Sequence, residues 1–224
     1  FDERSMAGML KEAKRAHVEH LINADNVFDY ASVGCLETTM CGNGARCLAA
    51  FAHLLDIFEN TTTFEAVDGL HEAEIHNGIV KLKMIDVSGI DKDGNDNVLN
   101  TGSPHFVQYV EDVENFKVYE EGNKIRNSAT YRSEGINVNF VEETGENEIF
   151  VRTYERGVED ETFSCGTGAT AAALVYLNDR DENMVNVKVL GGNLKVYAQK
   201  HSGSFTEVWL EGPAKQVFRG KIDI

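Results

Sequence analysis

Two nine-residue segments of this chain are near copies of each other. Residues 37–45 read Glu-Thr-Thr-Met-Cys-Gly-Asn-Gly-Ala, and residues 161–169 read Glu-Thr-Phe-Ser-Cys-Gly-Thr-Gly-Ala. Both fit E-T-x-x-C-G-x-G-A, with six identities in nine ungapped positions, and Cys41 and Cys165 stand 124 residues apart. In a chain of 224 residues that offset predicts two pseudo-equivalent halves, each presenting one cysteine. Each copy leads into an apolar run that reads as a helix, over 45–57 and 169–177. The surroundings read as short strands, at 64–67, 72–76, 79–84, 106–110, 136–141, 149–154, 185–190, 194–198, 205–210 and 217–224. Asn77-Gly78 is a two-residue hairpin signal. A helix is expected over 5–22, and the Asp/Gly/Asn-rich stretch 88–97 is the expected linker. The fold class is therefore α+β, with lobes at 1–97 and 98–215, and with 216–224 returning to the first lobe.

Composition narrows the partners. Lys and Arg number 21 against 37 Asp and Glu, a net charge of −16, so nucleic acid and anionic membrane surfaces are not expected. No apolar run reaches the roughly 20 residues that cross a bilayer. No basic stretch followed by an apolar one opens the chain, so a signal peptide is not expected. Four cysteines are too few for a disulfide scaffold, and a reducing cytoplasm is the expected location.

The paired motif has a chemical reading. Gly on either side of Asn43 and of Thr167 is expected to let the backbone turn into each helix, with Asn43 and Thr167 as N-caps. Each thiol then sits just before a helix N-terminus, whose N–H groups and positive dipole end stabilise a thiolate and can hold a carboxylate. Facing halves would put a thiol on each side of the α-carbon of a bound amino acid. One thiolate removes the α-proton and the opposite thiol returns a proton to the other face, which inverts the centre without a cofactor. An isolated Cys beside Gly is ordinarily a small buried hydrophobe. Repetition reverses that for Cys41 and Cys165 but not for Cys35 or Cys47. The spacing of six between Cys35, Cys41 and Cys47 is not a zinc clip, so no metal is expected. Neither glycine-rich elbow fits a phosphate loop, and His17 and His20 read as solvated residues of a charged helix. If the two thiols meet, a Cys41–Cys165 disulfide is an oxidised resting form, not a staple.

The chain resembles the diaminopimelate epimerase family. The resemblance rests on Met40-Cys41-Gly42-Asn43-Gly44-Ala45-Arg46-Cys47, Gly102-Ser103-Pro104-His105-Phe106-Val107, Ile136-Asn137-Val138-Asn139-Phe140-Val141 and Tyr154-Glu155-Arg156-Gly157. It continues through Ser164-Cys165-Gly166-Thr167-Gly168-Ala169 and Gly212-Pro213-Ala214. It implies two lobes, each a β-barrel-like sheet around a central helix, with the active site in the cleft between them. It implies Cys41 and Cys165 as the proton-transferring pair, and Gly42, Asn43, Gly166 and Thr167 on the reacting carboxylate. Asn137, Glu155 and Arg156 would hold the distal amino-carboxylate, where an adjacent acid and base suit a zwitterion, and Ser103 is a further expected substrate-binding residue. Pro104-His105, in a turn, would shape the pocket. Ser103 stands where the family has Asn, and residues 1–26 do not match the family's Gly-x-Gly-Asn-Asp-Phe opening.

The expected activity is interconversion of L,L- and meso-diaminopimelate, in lysine and peptidoglycan precursor synthesis. The alternatives are a racemase of another amino acid on this scaffold and a silent amino-acid-binding homologue. The expected partners are a small amino-acid substrate and, as assembly, a homodimer. No cofactor is expected.

Overall fold

The computed structural model describes residues 27–29, 40–66 and 69–216. The helix expected over 5–22, the strand over 217–224, His17, His20 and Cys35 lie outside the described residues. In chain order the described elements begin with β1 (Val27–Asp29), α1 (Gly42–Leu54), β2 (Thr61–Ala66), β3 (Gly69–His76) and β4 (Ile79–Lys83). Then come β5 (Asp91–Asp93), β6 (Asp96–Asn100), β7 (Pro104–Tyr109), a 3-10 turn (Val113–Asn115) and α2 (Val118–Arg126). The remainder is β8 (Asn137–Gly145), β9 (Glu148–Glu155), β10 (Asp160–Thr162), α3 (Gly166–Asn178), β11 (Met184–Val189), β12 (Gly192–His201) and β13 (Ser204–Pro213).

The strands pair in the order β1-β2-β3-β4-β13-β12-β11-β9-β8-β7-β6-β5, with β10 on β9. The duplication seen in the motif extends through this order. β1 runs parallel to β2 with α1 between them in the chain, and β9 runs parallel to β11 with α3 between them. In each half two antiparallel strands follow, β3-β4 and β12-β13. The two halves join where the equivalent strands β4 and β13 pair antiparallel, Lys81 opposite Glu211. That is a pseudo-two-fold arrangement, and it places the starts of α1 and α3 together.

The hairpin signal is fulfilled: Asn77 and Gly78 adopt φ 52° and 76°, the pair of positive values that a tight β3–β4 turn requires. The polar stretch 88–97 is not a linker. Its β5 and β6 form an edge hairpin, Asp91 opposite Val98, continued onto β7. Lys92 donates to Asn97 Oδ1 at 2.6 Å and Tyr131 donates to Asp93 at 2.6 Å. An edge hairpin needs few apolar residues, so its composition resembled that of a loop. Pro104-His105 likewise lies not in a turn but at the start of β7, where a proline costs no ladder bond.

β8 and β9 separate two cores. Along β8, Val138 and Phe140 face a cluster with Val118 of α2, while Val141 joins the main core around α1 and α3. Along β9, Phe150 and Tyr154 face the first cluster, and Ile149 and Val151 the second. α3 is buried all round from Gly166 to Leu177, as a helix apolar on every face must be.

The motifs did not announce α2. It has nine residues, two of them buried, Val118 and Gly122, too few to show a helical period. Gly122 lies against the ring of Tyr154, and a Cβ there would come within 2.7 Å of Tyr154 Cγ. Helix propensity alone favours Gly122→Ala by up to about 1 kcal/mol. The overlap reverses the sign: the variant is expected to lose about 1–3 kcal/mol, read as a lower urea midpoint with an unchanged slope.

Candidate active site

Both elbows have the same backbone. Cys41 (φ −111°, ψ 99°) and Cys165 (φ −110°, ψ 112°) are the N-caps of α1 and α3, and their carbonyls accept from Ala45 N and Ala169 N at 2.9 Å each. The expected caps, Asn43 and Thr167, are instead the second residues of the helices. The N-cap position falls on the thiol because Gly42 and Gly166 are already helical. Cys41 Sγ accepts from Gly44 N at 3.4 Å, the bond an N-cap side chain makes to the third helical residue. Cys165 Sγ lies 3.4 Å from Thr167 Oγ1. Both cysteines carry thiols.

The elbow glycines are needed for space more than for a turn. A Cβ on Gly166 would stand 3.0 Å from Gly42 Cα, and one on Gly42 would stand 3.3 Å from Gly166 Cα. The two helix starts therefore touch backbone to backbone, with Leu210 of β13 packed against both. Asn43 Nδ2 crosses the junction and donates to Ser164 O at 2.6 Å.

The cleft beside this junction has a volume of about 290 Å³, near the small end of ligand sites. It is bordered by Cys41, Gly42, Asn43, Ser103, Asn137, Glu155, Arg156, Cys165, Gly166 and Thr167, so all ten residues singled out from sequence meet there. Met40, Gly157, Val158 and Ser164 complete the lining and were not singled out.

Strand register explains how the polar half assembles. The face of β8 that reads Val141 in the core reads Asn139 and then Asn137 towards the cleft. On β9 the same progression runs Ile149, Val151, Thr153, Glu155, with Asn139 opposite Thr153. Asn137 Nδ2 donates to Ser103 Oγ (2.8 Å) and Pro104 O (3.1 Å), and its Oδ1 accepts from Arg156 N (2.9 Å). Arg156 donates to Glu134 O at 3.0 Å and reaches Ser103 Oγ at 3.5 Å. Asn137 thus orients Ser103 and Arg156, and its Oδ1 keeps a second lone pair for an ammonium group.

Deeper residues support these, and of Thr101, Arg152 and Glu161 only Glu161 stood in a motif. Thr101 Oγ1 donates to Thr167 O at 2.9 Å and fastens the first turn of α3. Glu161, the glutamate of the second motif copy, is gripped by Arg152 through bonds of 2.6 and 2.7 Å. The same guanidinium donates to Val113 O, Glu114 O and Phe116 O. That motif glutamate anchors the strand leading into Cys165.

Asn139 is fully buried. Its Oδ1 accepts from Thr153 Oγ1 (2.9 Å), and its Nδ2 donates to Phe106 O (2.9 Å) and His105 Nδ1 (3.1 Å). Because an amide nitrogen can only donate, His105 Nδ1 accepts and the ring proton sits on Nε2. Burial, and secondarily the Arg156 charge, lowers the His105 pKa from 6.5 to about 3. The ring is thus neutral at physiological pH.

The pH consequence has a definite sign. Between about pH 3 and 6.5 the unfolded His105 binds a proton that the folded one does not, so its contribution to stability is lost as pH falls through that window. At pH 5 this amounts to roughly 2 kcal/mol. His105→Gln is expected to show a smaller drop in urea midpoint between pH 7 and pH 5 than the parent, measured by circular dichroism. An equal drop in both proteins would place the acid sensitivity elsewhere.

Known proteins similar to this chain fall in one family by sequence. A family model described as diaminopimelate epimerase matches residues 97–217. A diaminopimelate epimerase of Flavobacterium psychrophilum is 48% identical, over 83% of this chain and 74% of its own length. Those of Chlorobaculum tepidum (39%, over 90% and 81%) and Aquifex aeolicus (40%, over 82% and 69%) follow the same pattern. Among solved structures, a PhzF-family phenazine biosynthesis protein of Bacillus anthracis superposes with a TM-score of 0.56 at 14% identity, covering 78% of this chain and 73% of its own. A methylitaconate-delta-isomerase superposes at 0.51 with 14% identity, covering 81% and 71%. These two share the α+β architecture, and the sequence relatives go further: the chain belongs to the diaminopimelate epimerase family.

Proposed function

We propose that this chain is a cofactor-independent epimerase that interconverts L,L- and meso-diaminopimelate through two thiols, in lysine and peptidoglycan precursor synthesis. The observation that carries the reading is the pair of N-cap cysteines with similar backbone dihedrals, Cys41 and Cys165, bordering one cleft where α1 and α3 touch. The family membership supports the same substrate. The need for two reduced thiols fits a cytoplasmic location, and no helix among the described residues is long and apolar enough to cross a membrane.

In this reading the α-carboxylate sits on the first-turn N–H groups of Gly42, Asn43, Gly166 and Thr167, where both helix dipoles favour negative charge. One cysteine, as thiolate, takes the α-proton. Charge then spreads into the carboxylate, which the converging N–H groups hold in a cleft of low dielectric. The opposite cysteine, as thiol, gives its proton to the other face of the carbon. After one turnover the two sulfurs have exchanged protonation states, so the reverse reaction starts from the product enzyme. Arg156 and Ser103 would hold the distal carboxylate, and Glu155 with the spare lone pair of Asn137 the distal ammonium.

In deuterium oxide, the reduced protein is expected to place deuterium at the α-carbon of either stereoisomer, followed by NMR. Cys41→Ala and Cys165→Ala are each expected to lose roughly 10²–10⁴-fold or more in epimerisation, in both directions, with the fold retained. Alkylation should abolish turnover, and bound substrate should protect. Burial pushes the Cys47 thiol up, so Cys47 should react after the cleft cysteines. A folded Cys165→Ala protein that epimerises at near-normal rate would refute the two-thiol mechanism.

A further inference from the structure

Arg46 is an unusual residue to find inside the first helix. It lies on the buried face of α1, 6% exposed, and its guanidinium packs on Gly212 of β13 with Nη1 3.4 Å from where a Cβ would be. Its Nη2 donates to Asn43 Oδ1 at 3.0 Å. Among the described residues its Nε and Nη1 have no hydrogen-bond partner. A buried cation with two idle donors costs stability, and replacing it with an apolar side chain would often be neutral or better. Packing therefore does not explain it.

Its neighbours do. Asn43 has one side-chain amide, and the two ends of that amide are used differently. Oδ1 is held by Arg46, and this orients Nδ2 towards Ser164 O, 121 residues away and immediately before Cys165. The run Gly212–Arg46–Asn43–Ser164 thus passes from the joining strand through the first half to the second thiol. Burial lowers the Arg46 pKa, and the negative charge of the Cys47 and Cys41 thiolates acts against that. By reciprocity its charge favours the thiolate at both positions.

We propose that Arg46 is the positioning residue of this cleft. Its guanidinium holds the Asn43 amide in the orientation that ties Ser164, and with it Cys165, to the start of α1. A fixed positive charge at that helix start favours the Cys41 thiolate as well. The inference rests on the two-thiol reading for its consequence in turnover but not for its first readout, which needs no substrate. Gly212, part of the Gly212-Pro213-Ala214 motif, leaves room first for Leu194 of β12, whose Cδ2 would lie 2.5 Å from a Cβ there, and the guanidinium rests against the same bare backbone.

The test is the pH dependence of iodoacetamide alkylation of reduced protein, resolved for each cysteine by peptide mass spectrometry, with kcat and KM measured alongside. Arg46→Gln is expected to move the Cys41 profile to higher pH, slowing its alkylation at pH 7 roughly fivefold or more. It is also expected to lower kcat at least tenfold with KM within twofold. Arg46→Lys, which keeps the charge, is expected to restore the Cys41 profile. A folded Arg46→Gln protein with the parent's Cys41 profile, or with the parent's kcat, overturns the proposal. If Arg46→Gln does not fold, Arg46→Lys decides: a Cys41 profile displaced although the charge is retained overturns it. Absence of α-proton exchange in the parent protein would remove the epimerase reading while the alkylation profiles still tested Arg46.

Discussion

The backbone contact between Gly42 and Gly166 is the constraint on which the rest depends. Two helix N-termini repel each other through their dipoles and their unpaired N–H groups. Bringing them within van der Waals distance is therefore unfavourable unless something else holds them. The antiparallel pairing of β4 with β13 supplies the hold, because β4 packs against α1 and β13 against both α1 and α3. Leu210 of β13 packs under both glycines, and Asn43 spans the gap. The outcome is a concentrated positive potential at one point, a poor feature for a structural core and a useful one for a developing carbanion.

The same strands that build the core also build the site. Val141, Asn139 and Asn137 share a face of β8, as Ile149, Val151, Thr153 and Glu155 do on β9, so moving along either strand passes from apolar packing to polar function. Ser103, just before β7, and Arg156, just after β9, extend the polar set by one residue beyond the strands. Asn139 sits at the changeover with every polar atom satisfied by Thr153, His105 and Phe106. Its Oδ1 occupies the space a Cβ on Gly168 would need. The second glycine of the elbow is thus explained by a side chain on β8, 29 residues earlier in the chain.

Much of this was legible in the residues themselves. The duplicated motif predicted two halves, two cysteines and two helices, and all ten residues singled out from it and from the family resemblance border one cleft. The misreadings share a cause: each depended on what a residue touches across the fold. Asn43 and Thr167 have the chemistry of N-caps, yet the helices begin one residue after the cysteines, because the Gly42–Gly166 contact lets helical backbone start there. The edge hairpin over 91–100 looked like a linker because an edge needs little apolar surface. α2 was invisible because one of its two buried residues is a glycine whose value lies in the space it leaves for Tyr154.

Finally, the cleft is symmetric where the chemistry is and asymmetric where recognition is. The thiols, the helix starts and the inverting carbon need two equivalent sides, and Cys41 and Cys165 have dihedrals within about fifteen degrees of each other. A diamino dicarboxylate has a second end that must point one way only. Ser103, Asn137, Glu155 and Arg156 all follow β4 in the chain, so in the proposed reading the far end of the substrate would meet polar groups that the first repeat does not supply. The single substitution within the elbows follows the same division. Asn43 sends its amide across to Ser164, whereas Thr167, its equivalent, keeps its hydroxyl beside its own cysteine. A duplicated motif can retain matched thiols for inversion while one residue in each copy diverges, one to join the halves and one to serve the sulfur next to it.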